Sequence, residues 1–120
     1  MRDLLGRHAR RFWYTVVWSE QGWVAAWSSE ASLRQWTVVN VLSAILAFAV
    51  EMTPGERALI LGLGLLILAA ELMNTAVETA VNYISTERHP LARKAKDCGS
   101  AAVAVTALAA GVAWLVVLIG

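Results

Sequence analysis

Between Cys98 and Gly120 the chain runs CGSAAVAVTALAAGVAWLVVLIG, 23 residues without a charged side chain. About 20 apolar residues wound as a helix cross the hydrocarbon of a bilayer. A helix satisfies its backbone polar groups within itself, as lipid requires, so this run constrains the rest of the chain to a membrane setting. Composition agrees: 58% of the 120 residues are hydrophobic and 16% are charged, against about 45–50% and about 25% in an ordinary soluble domain. The same hydrophobicity excludes a disordered chain. Ten Lys and Arg against nine Asp and Glu give no basic stripe, which argues against a nucleic-acid partner. The single cysteine, Cys98, excludes an internal disulfide framework, and His8 and His89 stand too far apart for a zinc-type site to be read.

Two further segments join the first. After Pro54-Gly55, a turn signal, the run ALILGLGLLILAA from Ala58 is wholly apolar and continues as ELMNTAVETAVNYIS to Ser85. Upstream, WTVVNVLSAILAFAV from Trp36 to Val50 is short for a span and gains length by starting at Leu33. Arg2, Arg7, Arg10, Arg11 and Arg34 flank the first span, and Arg88, Arg93, Lys94 and Lys96 fill the second loop, whereas the first loop has only Arg57 beside two glutamates. Positive charge favours the cytoplasmic side. The N-terminus and second loop are therefore expected inside and the C-terminus outside, an alternation that three spans satisfy and two or four do not.

The opening thirty residues lack the apolar core of a signal peptide. On a helical wheel Phe12, Trp13, Val16, Val17, Trp23, Val24 and Trp27 share one broad sector, while Arg10, Arg11, Tyr14, Thr15, Ser19 and Gln21 lie outside it. Trp18 and Glu20 break the pattern, and Gly22 is a place for a bend. Tryptophan with arginine on such a helix describes a surface anchor in the headgroup region. The fold class is thus an all-α membrane protein forming a single domain. It comprises three transmembrane helices (33–50, 57–85 and 98–119) and an N-terminal amphipathic interfacial helix over 1–32.

Four polar residues, Glu71, Asn74, Glu78 and Asn82, interrupt the second span. Spacings of three, four and four place them within roughly an 80° arc of a helix, with Ser85 continuing the stripe. A carboxylate facing lipid at mid-bilayer costs at least about 2.5–3.5 kcal/mol, so the stripe must look inward, towards partners or water. Asn74 alone would read as interhelical glue; two glutamates on one face read as function. Glu71 and Glu78 are seven residues apart, about 10 Å along the axis, too far to hold one metal ion from one helix. Glu78 sits at headgroup depth and Glu71 about two turns deeper, a division suited to joining a soluble, charged ligand with a lipidic one. The second loop offers cations to an anion and, in Asp97, a carboxylate that orientation does not require. Glu30 and Arg34, four apart, have the spacing of a surface ion pair. No GxxxxGK[ST] loop and no HRD or DFG set occurs, and Gly62-Leu63-Gly64 reads as close helix packing.

The run Glu71-Leu72-Met73-Asn74-Thr75-Ala76-Val77-Glu78 resembles the E-x-x-N-[ST]-A-x-E signature of the prokaryotic diacylglycerol kinases, small three-span membrane enzymes unrelated to soluble lipid kinases. Ala25-Ala26-Trp27 with Glu30 and Arg34-Gln35 resembles that family's AAW…E…RQ segment, and Ala95-Lys96-Asp97 leading into Gly99-Ser100-Ala101-Ala102-Val103 resembles its AKD-x-GSAAV segment. The resemblance covers nearly the whole chain. It implies a homotrimer of the bacterial inner membrane, with sites at subunit boundaries, that uses ATP and Mg2+ to phosphorylate diacylglycerol to phosphatidic acid. It further implies Glu71 as general base, with Glu30 and Glu78 holding the metal and through it the phosphates. Arg11, Ser19, Glu87, His89, Lys96 and Asp97 would line the nucleotide site along with those two glutamates. Asn74, Ser100 and Arg34 would position the lipid headgroup or the base. Asn82 stands where the family commonly has aspartate, and Trp36 where a glutamate commonly follows Arg-Gln; both departures remove charge near the interface.

Related Gram-positive enzymes phosphorylate undecaprenol, but the GSAAV segment looks closer to the diacylglycerol branch. A small multidrug or ion transporter would also account for a membrane glutamate. It leaves Glu78, Asn82 and Lys96-Asp97 unexplained, and the four spans usual there are not available. On the kinase reading, Glu71→Gln should abolish turnover and leave nucleotide binding nearly intact, and Glu78→Gln should weaken apparent Mg-ATP affinity. Steady-state kinetics beside equilibrium nucleotide binding separate the two; equal loss of ATP affinity in Glu71→Gln would remove Glu71 from the base role.

Overall fold

The computed structural model describes all 120 residues as four helices and no strand: α1 (Arg2–Ser29), α2 (Ala31–Ala49), α3 (Pro54–Ile84) and α4 (Pro90–Ile119). Three of them, α2, α3 and α4, are long and apolar enough to span a membrane, and α1 is the N-terminal helix anticipated ahead of them. The helix ends differ from the expected limits for local reasons. Pro54 does not precede α3 but begins it: proline lacks the N–H that a first turn leaves unpaired anyway. Thr53 and Glu56 close a capping box around it, with the Thr53 hydroxyl accepting from Glu56 N at 3.2 Å and the Glu56 carboxylate from Thr53 N at 2.9 Å. In the same way α4 starts at Pro90, eight residues before the uncharged run, with His89 Nδ1 accepting from Leu91 N at 3.1 Å. At 1.5 Å per residue α2 is about 28 Å long and α3 about 46 Å. A hydrocarbon layer of about 30 Å therefore leaves the polar end of α3 and the basic start of α4 beyond its edge.

The joints are short. Residues 50–53 link α2 to α3 and residues 85–89 link α3 to α4, which makes α3 antiparallel to both neighbours and the centre of the bundle. A single extended residue, Glu30 (φ −114°, ψ 106°), separates α1 from α2. Helix α1 is continuous through Gly22 and touches the bundle near its C-terminal end, where Ala26 is buried. Its aromatic character is not confined to one sector. Tyr14 and Trp18 stack with centroids 5.8 Å apart, and Trp23 and Trp27 at 5.9 Å, each an i,i+4 pair, so Trp18 continues a second aromatic line.

Only nine of the 120 residues are buried, so lipid or further protein must cover most of the apolar side chains. The interior that exists is made by small residues at crossings. Ala47 of α2, Ile60 of α3 and Ala113 of α4 form one cluster, flanked by Met52, Leu61, Leu63, Trp114 and Val117. Gly64 is buried against α2, where an added Cβ would lie 2.5 Å from Asn40 Oδ1; Gly62 has open space. Close packing thus belongs to one of those two glycines. Polar ties supplement it. Trp114 Nε1 donates to Ser43 Oγ at 2.9 Å, and Arg57 Nε donates to the Ala47 carbonyl at 2.8 Å with its guanidinium over the Phe48 ring. Interhelical hydrogen bonds within membranes contribute about 0.6 kcal/mol on average and up to about 1.7. Ser43→Ala, which removes the acceptor and leaves the indole in place, is expected to lower stability by about that range, as read by reversible unfolding in bicelles; in a Trp114→Phe background, which lacks the donor, it should add nothing further.

Candidate functional site

The deeper part of the α3 stripe, Glu71 through Glu78, faces the rest of the protein, while Asn82 and Ser85 are exposed. Glu71 is the one charged residue of the chain that is buried, at 4% exposure, and Ser32 at the head of α2 donates to its Oε2 at 3.1 Å. One turn on, Asn74 Nδ2 donates to Glu78 Oε1 across 3.4 Å. The Asn74 Oδ1 atom is buried with no hydrogen-bond partner and lies against Gly99 of α4, where an added Cβ would overlap it. Two turns beyond, Lys96 of α4 donates its Nζ to Asn82 Oδ1 at 2.7 Å. Along α3, therefore, α2 covers the deep end of the stripe and α4 the shallow end, as the cost of a bare carboxylate in hydrocarbon demands.

Beyond the stripe the loop between α3 and α4 opens into a cavity of about 550 Å³ lined by Thr86, Glu87, Arg88, His89, Arg93 and Lys96, among others. Glu87, His89 and Lys96 are thereby brought together. A larger groove of about 990 Å³ separates α1 from α3, with Ser19, Trp23, Ala26 and Ser29 on one wall and Thr75, Thr79 and Tyr83 on the other. Ser19 faces this groove, and its hydroxyl donates to the Thr15 carbonyl at 2.8 Å.

Other anticipated residues are placed apart. Arg11 is exposed on α1 and makes no ion pair. Arg34 does not pair with Glu30; its Nη1 donates to the Trp27 carbonyl, because the extended backbone at Glu30 breaks the helix on which an i,i+4 pair depends. Glu30 is half-buried at the α1–α2 joint, free of any cation. Asp97 pairs instead with Arg93 at 3.2 Å on an exposed face, a contact worth little in water. Ser100 is exposed.

No three His, Cys, Asp or Glu side chains converge within the chain. The oxygens available suit a hard cation nonetheless. Mg2+ keeps several waters and is commonly held by one or two carboxylates plus substrate phosphates. Glu78, tied on one oxygen to a neutral amide, and Glu30 are both carboxylates without a cation of their own. Sequence reasoning did not find Ser32, nor the contact that Gly99 makes with Asn74. Ser32 lies 39 residues from Glu71, and no spacing rule links them. Gly99 is visible in sequence only as the first residue of the Gly99-Ser100-Ala101-Ala102-Val103 run, with nothing there to mark its partner.

Residues 17–118 match the sequence profile of the family described as "Prokaryotic diacylglycerol kinase". The chain belongs to the prokaryotic diacylglycerol kinase family. A diacylglycerol kinase of Pseudomonas aeruginosa is 43% identical over 111 residues, 92% of this chain and 90% of that one. A diacylglycerol kinase of Escherichia coli K12 is 35% identical over 101 residues (84% and 83%), and one of Haemophilus influenzae 38% over 100 residues (83% and 85%). The family is one of kinases, so the chain is an enzyme, and its three apolar helices fit a protein of the bacterial inner membrane.

Ser32 is the sole side-chain partner of the buried carboxylate. Ser32→Ala is expected to lower kcat several-fold with KM for Mg-ATP unchanged, and to cost roughly 1–3 kcal/mol of stability, the range for leaving a buried polar group unpaired. Steady-state kinetics and bicelle unfolding of the one variant check both.

Proposed function

We propose that this chain transfers the γ-phosphoryl group of ATP to the free hydroxyl of diacylglycerol, giving phosphatidic acid and ADP at the cytoplasmic face of the inner membrane. The observation that carries the reading is the α3 stripe: a buried carboxylate at Glu71 on a membrane-spanning helix, leading through Asn74 and Glu78 to Lys96 at the polar end of the bundle. A lipid alcohol and a nucleotide can approach such a stripe from opposite phases.

Glu71 accepts the proton of the acceptor hydroxyl as its oxygen bonds to the γ-phosphorus and the bond from that phosphorus to the ADP oxygen breaks. Ser32 fixes the carboxylate through Oε2, leaving the other oxygen for the substrate proton. Catalysis of this kind rests on positioning and on neutralising phosphate charge. Magnesium, when bound, supplies most of that neutralisation, and Glu78 with Glu30 would hold it. Lys96 adds a cation, released from the neutral Asn82 at less cost than from a carboxylate. Glu87 and His89 line the same loop cavity as Lys96, and Ser19 approaches from α1. Asp97, Arg11, Arg34 and Ser100 take the roles the family motif gives them, nucleotide contacts for the first two and lipid positioning for the others.

The basic N-terminus and second loop support a cytoplasmic site. The apolar flanks left uncovered in one chain support assembly into a homotrimer, in which neighbours complete the site. Reconstituted protein given radiolabelled ATP, magnesium, and either diacylglycerol or undecaprenol tests the reading. Labelled phosphatidic acid is the expected product. Labelled undecaprenyl phosphate alone would assign the sister activity, and no labelled lipid would overturn the kinase assignment.

A further inference from the structure

Asn74 is held from two sides. Its amide nitrogen must face Glu78, because only that end can donate to a carboxylate, and its Oδ1 is then forced towards α4. There it meets backbone: an added Cβ at Gly99 would overlap Oδ1 and lie 3.4 Å from Asn74 Cγ and 3.7 Å from Asn74 Cα. Oδ1 has no N–H or O–H donor, so the Cα–H of Gly99 is what lies against it, a weak contact that recurs where helices approach closely. The fit is tight on the Gly99 side, and on the Glu78 side the bond is already near its limit of length. Moving Oδ1 rotates the amide, and rotating the amide takes Nδ2 off Glu78, whose Oε1 is already 3.4 Å away.

The geometry points to Gly99 as a positioning residue: by carrying no side chain it lets α4 clamp the Asn74 amide in the one orientation that fixes the Glu78 carboxylate for the metal–nucleotide. This inference deepens the reading given under Proposed function and rests on Glu78 serving Mg-ATP. The molecule contains its own control. Gly64 and Asn40 repeat the same close approach between α3 and α2, with an added Cβ 2.5 Å from Asn40 Oδ1. There the amide nitrogen donates to the Trp36 carbonyl of its own helix at 2.9 Å and no carboxylate hangs on it. A methyl group at either glycine disturbs packing; only the one at Gly99 disturbs Glu78.

The experiment uses the full chain in lipid nanodiscs, with binding of a non-hydrolysable Mg-ATP analogue measured by calorimetry and stability by thermal unfolding. Gly99→Ala and Gly64→Ala are expected to lose comparable stability. Gly99→Ala should also weaken Mg-nucleotide binding by roughly tenfold, the lower end for loss of a group that orients a metal ligand, whereas Gly64→Ala should change it less than about twofold, within the additivity error of unlinked sites. Should Gly99→Ala not fold, the pair is made in an Asn74→Ala background, which removes the oxygen the new methyl meets. There the added Gly99→Ala should change binding by less than about twofold, and a tenfold further loss would overturn the inference. Equal effects of Gly64→Ala and Gly99→Ala on binding would overturn it as well. Glu78→Gln separates the two levels: if it leaves Mg-nucleotide binding unchanged, the role of Glu78 fails, and if it weakens binding while Gly99→Ala does not, the positioning role of Gly99 alone fails.

Discussion

A carboxylate inside a bilayer must be screened from hydrocarbon, and the arrangement of this bundle follows from meeting that demand along one face of α3. Glu71 is buried beneath the start of α2 and bonded by Ser32, while Asn74 and Asn82 are met by α4. The helix carrying the stripe is consequently the middle one in space as well as in sequence. Short joints on both sides make its neighbours antiparallel and bring the head of α2 and the foot of α4 to the same polar end.

Small residues set how near the neighbours can come. Ala47, Gly64, Gly99 and Ala113 stand where helices cross, as expected when van der Waals contact rather than solvent exclusion holds helices together in lipid. Two of these crossings press a glycine against an asparagine amide. The deep one is a packing device, because the amide is satisfied by its own helix. The shallow one is tied to a glutamate, so the same local geometry acquires a chemical consequence from what lies one turn away.

Much of this was legible in the residue order. The uncharged run from Cys98, the turn residues at Pro54-Gly55, the basic second loop and the polar stripe at three- and four-residue spacing each have a local cause, and local causes are read directly from sequence. What misled was also local. The Glu30–Arg34 spacing implies a pair only if one helix continues through both residues, and the extended backbone at Glu30 removes that condition. Pro54 read as a break, yet it opens a helix, since proline is tolerated where the first-turn N–H would have had no partner.

Sequence alone determined that the chain spans a membrane three times, that an aromatic, arginine-bearing helix precedes the spans, and that α3 presents acids and amides on a single side. Periodicity and hydropathy are properties of one segment at a time and need no partner to be expressed. Which residues meet those groups was decided only by tertiary structure. Ser32 on Glu71, Lys96 on Asn82 and Gly99 against Asn74 join positions 14 to 39 residues apart, and their pairing depends on how the helices cross. A glycine in the sequence is merely small; it becomes specific when another helix brings an amide to the place its side chain would have filled.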